Sequence, residues 1–231
     1  MAYLAEKCYS LMAMRYAIIA DIHGNLEALT AVLGEIEKGG GADGYWCLGD
    51  IVGYGPDPGA CIDLLRRYNP VCVAGNHDRA VIGKLDLAYF NPFGATAARW
   101  TTEQLTAEQT ASLERLPLSL EVGDFLFTHG SPADHLLEYV LSVSIAEKNF
   151  SYFGQRFCLV AHTHTPMAFR MENGLCTPIP LTPGIGLMLG ESRMIINPGS
   201  VGQPRDGDPR ASYAVMDTEG GVLRLHRISY D

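Results

Sequence analysis

The stretch VCVAGNHD, residues 71–78, places an apolar run directly before three polar side chains. The run 71–74 predicts a buried strand that ends at a glycine turn. Polar residues that follow a strand of an α/β sheet lie in the crevice where such sheets bind ligands. Asn76 offers a neutral oxygen to a metal, His77 can transfer a proton near neutral pH, and Asp78 can hold an imidazole in one tautomer. The stretch therefore predicts a chemical site at the end of a strand.

Other polar turns of the chain have the same character. Apolar runs at 15–20, 45–48, 125–128 and 157–161 are each followed at once, or after one residue, by histidine or aspartate. Five of the seven histidines lie at such turns, and a repeated placement of this kind favours one shared site over scattered core histidines. The candidate site residues are Asp21, His23, Asp50, Asn76, His77, His129, His162 and His164.

This mixture of imidazole nitrogen and carboxylate oxygen suits divalent transition metals such as Mn, Fe, Ni, Co or Zn. The set is too large for one tetrahedral ion, and two ions that share a carboxylate would use it naturally. Two metals about 3.5–4 Å apart clamp the attacking and leaving oxygens of a phosphoryl displacement and acidify a water between them. The residues therefore predict a two-metal hydrolase, and phosphate esters are the favoured substrates.

The order of apolar runs and polar turns predicts the architecture. Strand, turn and helix alternate from residue 15 to 78, which favours a largely parallel sheet with helices packed on it. Residues 79–116 are predicted as a helical cover beside the site, with Asn91-Pro92 and Thr106 to Gln109 as helix starts. A hairpin is expected at 118–128, a helix near 144–153, and short strands from Met167 onward. One domain over residues 15–231 is the simplest organisation.

Composition and charge limit the alternatives. The 231 residues are 47% apolar and 19% charged, and no apolar run approaches the roughly 20 residues of a membrane span. A net charge of −9 argues against broad nucleic-acid binding. The six cysteines form no C-x-x-C pair, so we expect reduced thiols in a cytoplasmic enzyme. Residues 1–14 are predicted to be a dispensable extension, with Met1, Met12 and Met14 as alternative starts.

These motifs, taken in order, resemble those of the calcineurin-like metallophosphoesterases, most closely their small bacterial and archaeal phosphodiesterase branch. The similarity runs from about residue 16 to 217. It is carried by Asp21-x-His23, Gly49-Asp50, Gly75-Asn76-His77-Asp78, His129, His162-x-His164 and the tail Asn197-Pro198-Gly199-Ser200. The resemblance implies an α/β fold with a central two-sheet β-sandwich flanked by helices.

The resemblance also implies a role for each matching residue. Asp21, His23 and His164 would hold one metal, Asn76, His129 and His162 the other, and Asp50 would bridge the two. A metal-bridging hydroxide would attack phosphorus, and His77 would contact the phosphate and protonate the leaving group. Asp78 would orient His77. Two divalent ions are expected, with Mn as the activator.

Two departures from the family pattern bear on the substrate. Ala161 replaces the usual glycine before His162-x-His164, and residues 49–55 lack the arginine of the protein Ser/Thr phosphatase branch. Monoesters and diesters both remain open as substrates, as do cyclic nucleotides, dinucleoside polyphosphates and phosphoproteins. Further candidate substrate contacts are Arg79, Tyr54 and Arg205.

Two other functional classes remain as alternatives. A non-catalytic scaffold of the same fold would be expected to have lost ligands, yet every ligand is present here. A nucleotide-binding domain without metals is disfavoured, because no G-x-G-x-x-G or Walker loop follows the first strand. The sequence does not indicate the oligomeric state.

Overall fold

The computed structural model describes residues 14–231, so the predicted extension lies, apart from Met14, outside the described residues. The helices are α1 (Leu26–Lys38), α2 (Pro58–Arg66), α3 (Asn76–Val81), α4 (Pro92–Gln104), α5 (Ala107–Glu114) and α6 (Val143–Asn149), with a 3₁₀ turn at Leu87–Tyr89. The strands are β1 (Arg15–Ile19), β2 (Gly44–Cys47), β3 (Val71–Cys72), β4 (Ser119–Val122), β5 (Phe125–Thr128), β6 (Phe157–Leu159), β7 (Met167–Glu172), β8 (Leu175–Ile179), β9 (Gly186–Met188), β10 (Arg193–Asn197), β11 (Ala211–Asp217) and β12 (Val222–Ile228).

The strands form two six-stranded sheets. The first has the order β3-β2-β1-β11-β12-β9 and the second the order β4-β5-β6-β10-β7-β8. Strands β1, β2 and β3 run parallel, as do β5, β6 and β10, whereas every other pairing is antiparallel. The parallel strands expected from residues 15–78 are confirmed in β1, β2 and β3, although the first sheet as a whole is mixed. The expected two-sheet sandwich is confirmed.

Alternation along β1 shows how the layers pack. Ile18 points into the core between the two sheets, whereas Ala17 and Ile19 face the opposite side, where α1 and α2 pack. A third apolar cluster joins the outer face of the second sheet to α6. The layers are thus helix, sheet, sheet and helix, and each sheet is covered on both faces.

Helix starts follow the local sequence. Asn91 accepts the backbone N–H of Gly94 at the start of α4, and Thr106 and Gln109 form the predicted capping box of α5. The β4–β5 hairpin is confirmed, whereas α6 ends at Asn149, four residues earlier than predicted. Residues 76–81 form the short helix α3 rather than only a polar turn.

Among the described residues, no helix is long and apolar enough to cross a membrane. The five cysteines in this part of the chain are free thiols, and Cys8 lies outside it.

Candidate metal centre

The strand ends bring all seven predicted ligands together. Asp21 and Asp50 follow the adjacent parallel strands β1 and β2, and Asn76 opens α3 after β3. His129 follows β5, and the pair His162 and His164 follows β6, its parallel neighbour in the second sheet. Parallel strands end at the same edge of a sheet, so the two sandwich layers present their polar ends to one another.

Two ligand clusters result. One consists of Asp21, His23, Asp50 and His164, and the other of Asp50, His129 and His162, with the ligand atoms of each within 4.8 Å of one another. Asn76 joins the second cluster, since its side-chain oxygen lies 3.1 Å from Nε2 of His129. Every member is buried.

Asp50 belongs to both clusters through a single oxygen atom. Its Oδ2 lies 3.3 Å from Nε2 of His129 and 3.5 Å from Nε2 of His23. Its other oxygen accepts the backbone N–H of His77 at 2.8 Å. The carboxylate is thereby fixed with Oδ2 between the two groups of imidazoles.

Backbone carbonyls set the tautomers of three histidines. Nδ1 of His23, His129 and His164 lies 3.1, 2.8 and 2.6 Å from the carbonyl oxygens of Val52, Leu48 and Gln203, respectively. Nδ1 must carry a proton to donate to a carbonyl, so in the neutral form of each ring Nε2 has a lone pair that faces the cluster. His162 instead directs Nδ1 inward, 3.2 Å from Nε2 of His129.

Unsatisfied oxygens show that the residues fit a cation. Both carboxylate oxygens of Asp21 and Oδ2 of Asp50 are buried and have no hydrogen-bond partner within residues 14–231. Buried carboxylates are costly unless they are paired or coordinate a metal. Together with inward lone pairs on imidazoles, they form a nitrogen and oxygen donor set suited to borderline divalent metals.

The ligand backbone is strained. Five ligands have left-handed φ angles between 51° and 65°, a region that residues other than glycine rarely adopt. These are Asp21, His23, Asp50, His162 and His164. Such strain persists where the surrounding structure over-determines it, typically at functional sites. Here the loops after β1 and β2 bond to each other, with the N–H of Asp21 donating to Gly49 and that of His23 donating to Asp50.

Burial and the charges of neighbouring groups shift the pKa values of the site residues. Burial lowers the pKa of both His162 and His164 to about 3, so both rings are neutral at pH 7. Burial also opposes the charge of Asp50, but the imidazoles of His129 and His77 hold the pKa of its carboxyl well below its usual range. The centre therefore offers one firmly ionised carboxylate, with the neutral rings of His162 and His164 beside it.

His77 lies beside the clusters and lines the open cavity next to them. Its ring centroid is 4.9 Å from that of His23, 4.5 Å from Tyr54 and 4.8 Å from Phe90. Burial lowers the pKa of this imidazole, and its Nδ1 is buried without a hydrogen-bond partner. His77 is thus placed at the metal side of the cavity without belonging to either ligand cluster.

Asp78 does not orient His77, which corrects the role expected from the sequence. Both of its oxygens accept backbone N–H groups, and the donors are Asp50, Ile51, Val52 and Gly75. Neighbouring residues of a helix do not face each other, so successive positions in α3 direct these two side chains apart. Asp78 instead fixes the loop that carries Asp50.

The tail motif at 197–205 supports the ligands. Ser200 donates its hydroxyl to the carbonyl of Asp21 at 2.8 Å, and the Gln203 carbonyl binds Nδ1 of His164. A Cβ at Gly202 would lie 1.8 Å from the carbonyl oxygen of Ile22, so only glycine allows this approach. The segment therefore supports the loops that carry the candidate ligands.

The predicted substrate contacts divide into two groups. Tyr54 and Arg205 line a cavity of about 170 Å³ that opens beside the two clusters. Arg79 does not line it, because its guanidinium donates to the carbonyl of Leu116 near the end of α5. That hydrogen bond directs the Arg79 guanidinium to Leu116 and away from the role expected for it as a phosphate contact.

Other wall residues were missed by sequence reasoning. They are Tyr89, Phe90, Asn91, Leu137 and Tyr139. The first three belong to the predicted helical cover, which located this wall without identifying its residues. Tyr139 stacks on His162 at 3.9 Å with an interplanar angle of 16°, a contact across 23 residues that no local pattern indicates.

The fold and the paired aspartate–histidine clusters define a metallophosphoesterase-type α/β sandwich with a possible metal site. Residues 14–221 match the family model of the calcineurin-like phosphoesterase superfamily domain. The chain therefore belongs to the calcineurin-like phosphoesterases, and it is a hydrolase acting on phosphate esters.

Similar proteins agree with this assignment. The crystal structure of a metallophosphoesterase from Sphaerobacter thermophilus is 44% identical, with a TM-score of 0.85 over 95% of this chain and 89% of that chain. An uncharacterised protein of Methanocaldococcus jannaschii is 40% identical over 93% of this chain and 87% of its own length. A symmetrical bis(5'-nucleosyl)-tetraphosphatase of Neisseria gonorrhoeae is 42% identical over 67 residues, which are 28% of this chain and 24% of that enzyme.

Proposed function

We propose that this chain hydrolyses phosphate esters with two divalent transition-metal ions, of which Mn²⁺ is the expected activator. The observation that carries the proposal is the single Asp50 oxygen that faces an imidazole of each cluster. A carboxylate so placed suits two ions better than one.

Each cluster would hold one ion. Asp21, His23 and His164 form the first set, and Asn76, His129 and His162 form the second, with Asp50 in contact with both. When bound, two such ions about 3.5–4 Å apart lower the pKa of a water and neutralise charge on a phosphoryl group. The carbonyls of Val52, Leu48 and Gln203 keep Nε2 of their histidines available for this purpose.

His77 is the proposed proton donor to the leaving group. It lies in the cavity wall, and its backbone N–H donates to Asp50, so its position is tied to the shared carboxylate. A bound phosphate would raise the lowered pKa of this buried imidazole, because a nearby anion favours the protonated form. Loss of a general acid costs about 10²–10⁴-fold in turnover.

The test uses p-nitrophenyl phosphate and bis-p-nitrophenyl phosphate with Mn²⁺, and metal content is measured on the same samples. His77→Ala should retain both ions while turnover falls about 10²–10⁴-fold. Asp50→Asn preserves the acceptor for the His77 N–H but removes the charge, and it should weaken metal binding by at least about 100-fold. Unchanged turnover in His77→Ala would remove the proton-donor assignment.

Dinucleoside polyphosphate hydrolysis is a second candidate function. The local similarity to the tetraphosphatase of Neisseria gonorrhoeae favours it, although that similarity covers about a quarter of either protein. Addition of a dinucleoside tetraphosphate to the same assay decides between the two activities.

A further inference from the structure

The cavity beside the metal centre has a wall of aromatic rings. Four of its lining residues away from the ligands are aromatic, namely Tyr54, Tyr89, Phe90 and Tyr139. Tyr89 is 68% exposed and Tyr139 is 41% exposed, so both leave ring surface accessible to solvent. Exposed apolar surface at the mouth of a site commonly marks a place where a ligand binds.

The rings are arranged around the reacting position. Tyr139 stacks on the candidate ligand His162, and Phe90 meets His77 edge to face. Tyr54 contacts both His77 and His23. The part of the substrate that is attached to the phosphate would therefore extend from the metal centre between aromatic side chains.

Positive charge in the wall is limited. Arg205 is the one lysine or arginine among the residues that line the cavity. Its guanidinium lies 6.0 Å from the ring centroid of Tyr54 and donates to the side-chain oxygen of Gln203 at 2.6 Å. Phosphate recognition depends on Arg and Lys, and a polyphosphate chain presents several further charges that this wall does not match.

Polar groups at the rim complete the wall. Asn91 and the tyrosine hydroxyls supply hydrogen-bonding groups beside the rings, and Leu137 is the one aliphatic side chain among the lining residues. Flat rings with polar edges stack well on aromatic side chains, and nucleobases have that shape.

We propose that the substrate of this site is an ester of a nucleoside monophosphate. Its single phosphate would lie at the metals, and its base would stack against Tyr139 and Tyr89. The proposal rests on the proposed phosphoesterase function of the same site. It assigns Tyr89 and Tyr139 as specificity-determining residues, and it disfavours dinucleoside polyphosphates.

The test compares two substrates with the same phosphate ester, one with a base at C1 of the ribose and one with a hydroxyl there. The Mn²⁺-loaded enzyme is given the methyl ester of a nucleoside 5'-monophosphate and the methyl ester of ribose 5-phosphate. Their leaving groups are chemically equivalent, so a difference in kcat/KM reports contacts with the base. We expect a preference of about 5- to 100-fold for the nucleoside ester, the range of base stacking on one aromatic side chain.

Substitutions of single tyrosines show which residues cause the preference for the nucleoside ester. Tyr139→Leu and Tyr89→Leu should each reduce the ratio of the two kcat/KM values toward one. Tyr152→Leu is the matched control, because Tyr152 is 62% exposed and does not line the cavity, and it should leave the ratio unchanged. Calorimetric binding to His77→Ala, in which turnover is slowed, should also favour a nucleoside 5'-monophosphate over ribose 5-phosphate.

Each contrary outcome has a separate meaning. Equal rates on the two methyl esters, or hydrolysis of bis-p-nitrophenyl phosphate alone, would overturn the substrate assignment and leave the proposed function standing. Faster hydrolysis of a dinucleoside tetraphosphate or of a phosphotyrosine peptide would also overturn the assignment. Inactivity on every ester by protein with both ions bound would instead contradict the proposed function.

Discussion

Nε2 of His23 and Nε2 of His164 lie 3.1 Å apart in the buried centre. Because Nδ1 of each ring donates to a backbone carbonyl, both facing nitrogens present lone pairs rather than a donor and an acceptor. Two lone pairs at this distance repel, whereas a cation beside them would bind both. Oδ1 of Asp21 is 3.5 Å from Nε2 of His164 and completes a set of ligands that face one point.

Proton competition should make metal binding depend on pH. Burial, reinforced by the neighbouring Asp50, raises the pKa of Asp21 to about 8. Burial alone would lower the pKa of His129, but the carboxylates of Asp50 and Asp21 raise it to about 9. Both groups hold protons at pH 7 before a metal binds, and those protons must leave on binding.

Mn²⁺ affinity is therefore expected to rise with pH and to level off above about pH 9. Calorimetry at pH 7 in two buffers of different ionisation enthalpy should detect release of about one to two protons per protein. An affinity independent of pH between 6 and 9 would contradict this linkage.

Gly75→Ala should disrupt the metal centre without a change of any ligand. An added Cβ would lie 2.0 Å from Oδ1 of Asp50, closer than real Cβ contacts occur, so the shared carboxylate must move. We expect loss of Mn²⁺ binding at both clusters, measured by metal analysis after dialysis. Gly34→Ala in α1 is the control, because nothing lies within 4 Å of its Cβ, and it should raise the free energy of unfolding by about 0.5–1 kcal/mol.

Asp78→Ala should act on stability through the loop that carries Asp50. It removes the acceptor of four buried backbone N–H groups, and we expect the free energy of unfolding to fall by about 3–5 kcal/mol, measured by urea denaturation. Asp78→Asn keeps the volume and one acceptor, so a smaller loss is expected. A shifted pH–rate profile at unchanged stability in Asp78→Asn would instead support the orientation of His77 by Asp78.

Arg227 should affect substrate binding, because it holds the loop that carries Arg205. Its side chain is 3% exposed and pairs with Asp206, and it also donates to the carbonyl of Arg210. Arg227→Met should release this loop and raise KM several-fold with a smaller change in kcat, as measured by steady-state kinetics. Arg224→Met, at an exposed position of the same strand, is the control and should leave kcat and KM unchanged. Equal effects of the two variants would show that the ion pair between Arg227 and Asp206 has no specific role.

Part of the candidate ligand set was predictable from sequence because its residues follow apolar runs. A strand end is a local feature, and parallel strands place their ends at one edge, so the convergence of Asp21, Asp50 and Asn76 follows from the pattern. The two-sheet architecture depended on the family resemblance. Residue periodicity alone suggested a largely parallel sheet, since it does not show that β11 pairs antiparallel with β1 across nearly the whole chain.

Contacts between distant segments were not predictable. Gln203 binds His164 through its backbone carbonyl, which no residue type reveals, and the stacking of Tyr139 on His162 joins separate loops. Asp78 was misjudged because sequence adjacency to His77 suggested contact, whereas a helix turns adjacent side chains away from each other. The left-handed backbone of the ligands is likewise imposed by the folded loops rather than by the residue types.

Anomalous diffraction at the manganese absorption edge, from crystals of the Mn²⁺-loaded protein, shows whether two metal ions share Asp50. We expect two anomalous peaks about 3.5–4 Å apart, with Oδ2 of Asp50 in contact with both. A single peak, or peaks away from Asp50, would contradict this arrangement.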